Sequence, residues 1–299
     1  MKVQETGFLL GEFEGAKPPE DNNGGTTMLR RQFLLATGLL AAPRFVHAAG
    51  TTLYVMTSGA FTEPYRILGP SFESVTGHKL ESAYGASMGN APDAIPQRLA
   101  RGEPADVVIL ARDALDALVR AGQVRAGSEV DLVESRIAMA VRAGTPHPRI
   151  GTVEEFRQSM LNARSIGYSA SASGVYFATE LLQRLGIADQ VLPKTRRILS
   201  ERVGSVVARG ELEIGFQQVS ELLPIPGIEI VGPLPAPIQR VTTFSAGIAT
   251  RSEQPQSAHA LIAFFASSAA HEVIRRSGLD PVSVTPPAFP APPAMARTN

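Results

Sequence analysis

The chain contains no cysteine. That absence removes disulfides, zinc-thiolate sites, a cysteine nucleophile and a lipid-modified cysteine anchor together. There is no excess of either charge: 28 Lys and Arg balance 28 Asp and Glu. Bulk charge therefore gives no basis for nucleic-acid binding or adsorption to a membrane surface. No uncharged apolar run reaches the ~20 residues that a membrane-spanning helix needs. Nor is there an internal repeat, a catalytic triad, a metal-ligand cluster or a phosphate-loop motif, so no metal and no cofactor are expected.

What is present is a core-forming composition, 44% hydrophobic over 299 residues, enough for one large or two modest domains. Near the N-terminus, Met28-Leu29-Arg30-Arg31-Gln32-Phe33 opens a short apolar run that ends at Val46-His47-Ala48. A positive start, a brief apolar centre and small residues at a cleavage site describe a signal peptide over 28–48. The Arg30-Arg31 pair fits the twin-arginine form of such signals. Residues 1–27 show no periodic pattern and read as an upstream extension, with Met28 the expected start. The Pro/Ala-rich stretch 282–299 reads as a disordered tail.

Between these ends, strand-like and helix-like segments alternate. Thr51–Thr57, Lys79–Tyr84, Ala105–Leu110, Arg136–Val141, Ser165–Tyr168 and Glu213–Phe216 have strand character. Glu63–Thr76, Ala91–Ala100, Asp113–Ala121, Val153–Leu161, Val175–Leu185, Val203–Arg209 and Ala258–Ser267 have helical spacing. Such alternation implies an α/β fold with mainly parallel sheets covered by helices. In these folds ligands sit beyond the carboxyl ends of strands, where helix starts offer N–H groups to anions. Four small, hydroxyl- or glycine-bearing loops occupy such places: Thr57-Ser58-Gly59-Ala60, Tyr84 to Gly89, Ser169 to Tyr176, and Glu201-Arg202-Val203-Gly204.

The block Gln97-Arg98-Leu99 with Gly102-Glu103-Pro104-Ala105-Asp106-Val107-Val108-Ile109 resembles one in periplasmic molybdate-binding proteins. So do Ser173-Gly174-Val175-Tyr176 with Leu185-Gly186, and Glu201-Arg202-Val203. The resemblance spans about Leu53 to Pro281 and points to the type 2 solute-binding proteins. It implies two Rossmann-like lobes joined by a hinge crossed twice, residues 50–138 plus 247–281 against 139–246, closing on a small anion. Hinge crossings are expected near Met139-Ala140 and Ser245-Ala246. The family's oxyanion contacts carry over to Ser58 (or Ala60, in the alternative register), Ser87, Ser173 and Val203, with Gly59 and Gly174 beside them.

Two departures from the family pattern bear on the ligand. Gln218 stands where the family has tyrosine, and Arg112 where it has an acidic residue. An arginine at a strand end can hold a carboxylate by a fork of paired hydrogen bonds, and Arg202 offers a second guanidinium. The expectation is a monomeric periplasmic solute-binding protein serving an ABC permease, with an oxyanion such as molybdate or an organic carboxylate as ligand. The same structural group includes aconitate isomerase, and that is the alternative. An isomerase needs a proton-transferring group, for which Glu201, Tyr84, Tyr176 and His78 are the candidates.

Overall fold

The computed structural model describes residues 50–282. The expected signal peptide, the extension before it and residues 283–299 of the expected tail lie outside them. The chain begins with β1 (Thr52–Ser58), α1 (Thr62–Thr76), β2 (Lys79–Gly85), α2 (Ile95–Ala100), β3 (Val107–Ala111) and α3 (Arg112–Arg120). The long β4 (Val130–Arg142) follows, then α4 (Val153–Asn162), β5 (Ile166–Ser169) and α5 (Ala172–Tyr176). A π-helical turn, Phe177–Leu181, carries α5 into α6 (Leu182–Arg184). Next come α7 (Ala188–Val191), β6 (Thr195–Ile198), α8 (Val203–Ala208), β7 (Ile214–Gln218), α9 (Val219–Leu222) and β8 (Ile228–Pro233). The last elements are β9 (Val241–Ile248), α10 (Pro255–Phe265), α11 (His271–Arg276) and β10 (Asp280–Pro281).

The strands follow the order β2-β1-β3-β9-β4-β7-β5-β6, with β8 and β10 also against β4. Pairing is parallel within β2-β1-β3 and within β7-β5-β6. It is antiparallel wherever β4 and β9 meet their neighbours. The fold is therefore α/β in two halves, each with a parallel set of strands, sharing antiparallel strands between them. β4 serves both, pairing with β9 through Val130–Arg136 and with β7 through Ile137–Val141.

Local composition explains these elements. All five residues of β3 are buried, as befits an apolar strand covered on both faces. Each half has its own core. The first gathers Leu53, Phe61, Tyr65, Phe72, Ile109, Phe244 and Phe265; the second gathers Met139, Phe156, Tyr176, Phe177 and Phe216. Burying each such side chain contributes about 1.5–3 kcal/mol. With two cores and a shared strand pair, the carboxyl ends of β1, β2, β5 and β7 are brought to one cleft. Three of the contacts across it bear on the site. The Ser87 N–H donates to Ser171 Oγ at 3.2 Å, Arg202 pairs with Glu63 at 2.7 Å, and Gly59 lies against the Glu221 carboxyl.

Candidate functional site

At the centre of the cleft is a narrow gap lined by Ser58, Gly59, Ala60, Ser171, Ala172, Ser173, Gln218, Glu221 and Phe244. Ser58 and Gly59 arrive at the end of β1, where the chain turns into a 3-10 turn, Gly59–Phe61. Ser171 and Ser173 sit at the start of α5, after β5. Gln218 ends β7, and Glu221 lies in the single turn of α9. The gap opens into a cavity of about 290 Å³ bounded by Thr62, Arg66, Tyr84, Asp93, Ser200, Glu201 and Arg202, among others.

Glu221 was not among the residues expected from sequence, and it is the strongest chemical feature of the site. The carboxyl is buried. Burial pushes its pKa up to about 7, opposed by the nearby Arg202 charge, the Gln217 amide and the Gln218 backbone N–H. Gln217 Nε2 donates to Glu221 Oε1 at 2.9 Å. Ser58 Oγ and Gln218 Oε1, both buried at this gap, have no hydrogen-bond partner among the described residues. Buried polar atoms are almost always paired, so unpaired ones beside a cleft are the groups there with hydrogen-bonding capacity left for a ligand or a water.

The residues expected from sequence are distributed over the gap, the larger cavity, a separate cavity and positions outside all three. Ser58, Gly59, Ala60, Ser173 and Gln218 do meet at the gap. Ser173 Oγ shares a hydrogen bond of 3.0 Å with Ser169 Oγ. Gly174 packs so closely that a Cβ there would stand 1.7 Å from the Ser169 carbonyl oxygen. Ser87 is buried at the margin of the cleft, its hydroxyl accepting from the Ala111 N–H at 3.0 Å. The Val203 N–H, at the start of α8, donates to Gln217 Oε1 at 2.8 Å.

Tyr84, Glu201 and Arg202 line the larger cavity. The Tyr84 ring lies under Arg66, at 5.5 Å, and Glu201 forms a two-pronged pair with Arg209 at 2.9 and 3.1 Å. Arg112 and Tyr176 belong elsewhere, to a separate cavity of about 350 Å³ that also contains Arg240 and Glu180. Arg112 is committed to Asp116 and Asp131, each at 2.8 Å. The Tyr176 hydroxyl donates to the Ile238 carbonyl at 2.8 Å and accepts from Arg184; burial raises its pKa. His78 packs on Phe72, and its Nδ1 accepts from the Thr51 N–H.

Among the described residues, no group of three or more His, Cys, Asp or Glu is placed to hold a metal, and no helix is long and apolar enough to cross a membrane. The arrangement can do two things. It can bind a small anion through hydroxyls and the arginines at the rim, and it can exchange a proton near neutral pH through Glu221.

Comparison with known proteins places this geometry in a lineage. The model of a bacterial extracellular solute-binding protein family matches residues 53–280. The chain belongs to this family. Its resemblance to molybdate-binding proteins holds as well: it is 25% identical to the molybdate-binding protein ModA of Azotobacter vinelandii over 82% of this chain and 94% of that one. An aconitate isomerase from a Pseudomonas species is 46% identical over 261 residues, 87% of this chain and 98% of that protein. The solved periplasmic molybdate-binding protein of Azotobacter vinelandii shares the fold, with a TM-score of 0.61 at 20% identity, over 76% of this chain and 98% of that one. Membership in an extracellular family implies work outside the cytoplasm on a small solute.

Proposed function

We propose that this solute-binding protein is an isomerase that interconverts cis- and trans-aconitate, with Glu221 carrying the proton. The carrying observation is a buried carboxyl with a pKa near 7, set in a cleft beside unpaired polar atoms. A general base works best when its pKa lies near the working pH. The 46% identity to an aconitate isomerase supports the same reading.

The chemistry is an allylic proton shift. Glu221 takes a proton from the methylene carbon beside a carboxylate; the C–H pair becomes a new C=C bond as the old double bond moves. The displaced π pair then takes the proton back at the other carbon, and the geometry of the double bond is reset. Negative charge develops on the substrate between the two steps, and prepositioned donors stabilise such charge best. Ser58 and the N–H groups at the start of α5, which line the gap, would act in this way. Arg202 and Arg66, at the rim of the larger cavity, would take the outlying carboxylates.

The test is direct. Purified protein is mixed with trans-aconitate, and the ultraviolet spectrum and product composition are followed. Conversion at a rate proportional to enzyme supports the proposal; no change over hours refutes it. The second reading is a binding protein that delivers a small anion to an ABC permease. It is favoured by the hydroxyl-lined gap and by the ModA relative. Melting experiments with molybdate, tungstate, sulfate, citrate and aconitate separate the two, because a ligand at 100 times its Kd adds about 2.7 kcal/mol. Stabilisation by molybdate or tungstate alone, without aconitate turnover, would favour the binder. We further propose periplasmic delivery by the twin-arginine route, which N-terminal sequencing of the exported protein and its secretion in a strain lacking that route would check.

A further inference from the structure

Gln217 is the penultimate residue of β7, and its side chain is buried. Its amide makes two hydrogen bonds of opposite polarity. Oε1 accepts from the Val203 backbone N–H at 2.8 Å, and Nε2 donates to Glu221 Oε1 at 2.9 Å. A backbone N–H can only donate. It therefore dictates which end of the amide faces it, because a flipped amide would set two donors against each other. With Oε1 so fixed, the Nε2 end must face Glu221, and Glu221 Oε1 is held as an acceptor. Gly59 closes on the same oxygen from the opposite half, where an added Cβ would stand 2.0 Å from it.

Resting on the proton-transfer reading above, we propose that Gln217 is a positioning residue. It aims the Glu221 carboxyl, reserves Oε1 as an acceptor and leaves Oε2 to take and return the substrate proton. Val203 anchors the amide, so the start of α8 is coupled to the carboxyl through one side chain. The charged groups around Glu221 are few. Arg202 approaches from the start of α8 and is itself paired with Glu63 of α1. Arg66, Tyr84, Asp93 and Glu201 line the adjoining cavity. β4 meets α9 through Ala138 and Ala140, and brings no charge there.

Two variants test the role. Gln217→Met keeps the length of the side chain and removes both hydrogen bonds; Gln217→Glu keeps an acceptor for Val203 and adds a second carboxyl. The Glu221 titration is followed by carboxyl 13C NMR, with its signal identified by loss in Glu221→Gln. In parallel, kcat and KM for trans-aconitate are measured across pH. For Gln217→Met the titration midpoint should rise, because a donor to the charged form is lost, and kcat should fall on the order of 10²-fold with KM little changed. In Gln217→Glu the two carboxyls should titrate as a coupled pair, moving the activity optimum to higher pH. A cooperatively folded Gln217→Met protein that titrates and turns over like the parent would overturn the proposal. If Gln217→Met does not fold, an unmoved Glu221 midpoint in Gln217→Glu does so instead. Should the parent protein fail to turn over aconitate, the isomerase reading falls, while the titration still decides whether Gln217 governs Glu221.

Discussion

Two polar regions of this molecule make an instructive pair: the gap around Glu221, and the cavity around Arg112 and Arg240. Both are lined by residues from each half of the fold. In the second, the charges are matched within the protein. Arg112 has Asp116 and Asp131, and Arg240 has Glu180 and the face of Tyr176, at 4.6 Å. In the first, a buried carboxyl has near it the Arg202 charge, which is itself paired with Glu63, and two neighbouring polar atoms have no partner among the described residues. A matched network has less to gain from a ligand than an unmatched one, which is costly until a ligand arrives. Arginine count alone would favour the second region, whereas the unmatched polar groups favour the first.

The sharpest way to break this comparison is Glu221→Gln. The amide has nearly the same shape and can still accept from Gln217, but it cannot accept a carbon-bound proton. Loss of a positioned acid–base group costs on the order of 10²–10⁴-fold, so turnover of trans-aconitate should fall by about 10³-fold while its binding is retained. Steady-state kinetics and equilibrium binding measure the two separately. A variant that keeps parental turnover would move the proton carrier to another group in the cleft.

A smaller loss is expected from Gly59→Ala. The new methyl would collide with Glu221 Oε1 at 2.0 Å, forcing the carboxyl or the whole half aside. Displacing a catalytic group by about 1 Å can cost on the order of 10²-fold, and overpacking destabilises by about 1–3 kcal/mol. Activity and thermal melting should therefore both decline. Normal turnover with a normal melting temperature would show that the two halves have room to separate here.

How much of this was legible in the sequence depends on what each feature rests on. Strand–helix alternation and the apolar run of β3 identify the α/β class, because period and burial are local properties. The residues of the gap at strand ends and helix starts, Ser58, Gly59 and Ser173, were also visible, since small residues where a strand passes into a helix signal an anion-friendly turn. Glu221 was not. β7 was expected to stop at Phe216, but it continues through Gln217 and Gln218, both buried against local polarity. The four-residue α9 that follows is too short to show a helical period. An acidic residue after Gln-Gln-Val-Ser reads as surface chain, and the long-range packing that buries it, with Gly59 from 162 positions earlier among its neighbours, leaves no local signal. Similarly, Arg112 looked available because its partner Asp131 lies on a strand, β4, that was expected to begin only at Arg136.

The Glu221 charge should also be visible in stability. Its pKa is raised to about 7 in the folded protein, from an ordinary value of 4.5. The folded state therefore binds the proton more tightly than the unfolded chain does. Stability from this group is fully present below about pH 4.5 and is lost as pH rises through about 7. Near pH 8, Glu221→Gln should be more stable than the parent by about 3 kcal/mol, with the difference vanishing near pH 4. Urea unfolding at the two pH values measures this. An equal difference at both would mean that the carboxyl is not forced to ionise inside the fold, and the contrast between the two regions would weaken accordingly.

The smallest effect is expected on the other side of the comparison. Arg112→Met removes a guanidinium that bridges Asp116 and Asp131 but keeps an unbranched side chain along α3. Its side chain is 37% exposed, so solvent screens both pairs, and such pairs contribute about 0–1 kcal/mol. Asp131 keeps its hydrogen bond from the Ser245 hydroxyl at 2.6 Å, so the carboxylate is not abandoned. Turnover of aconitate should stay within about twofold of the parent, and the melting temperature should fall by a few degrees at most. A large rise in KM would sink the division drawn here, because it would place a substrate carboxylate on Arg112 and make the matched cavity part of the binding site. A rise in KM for Arg202→Met, with Arg112→Met unaffected, would sharpen that division and assign the substrate's outlying carboxylate to the rim of the Glu221 cleft.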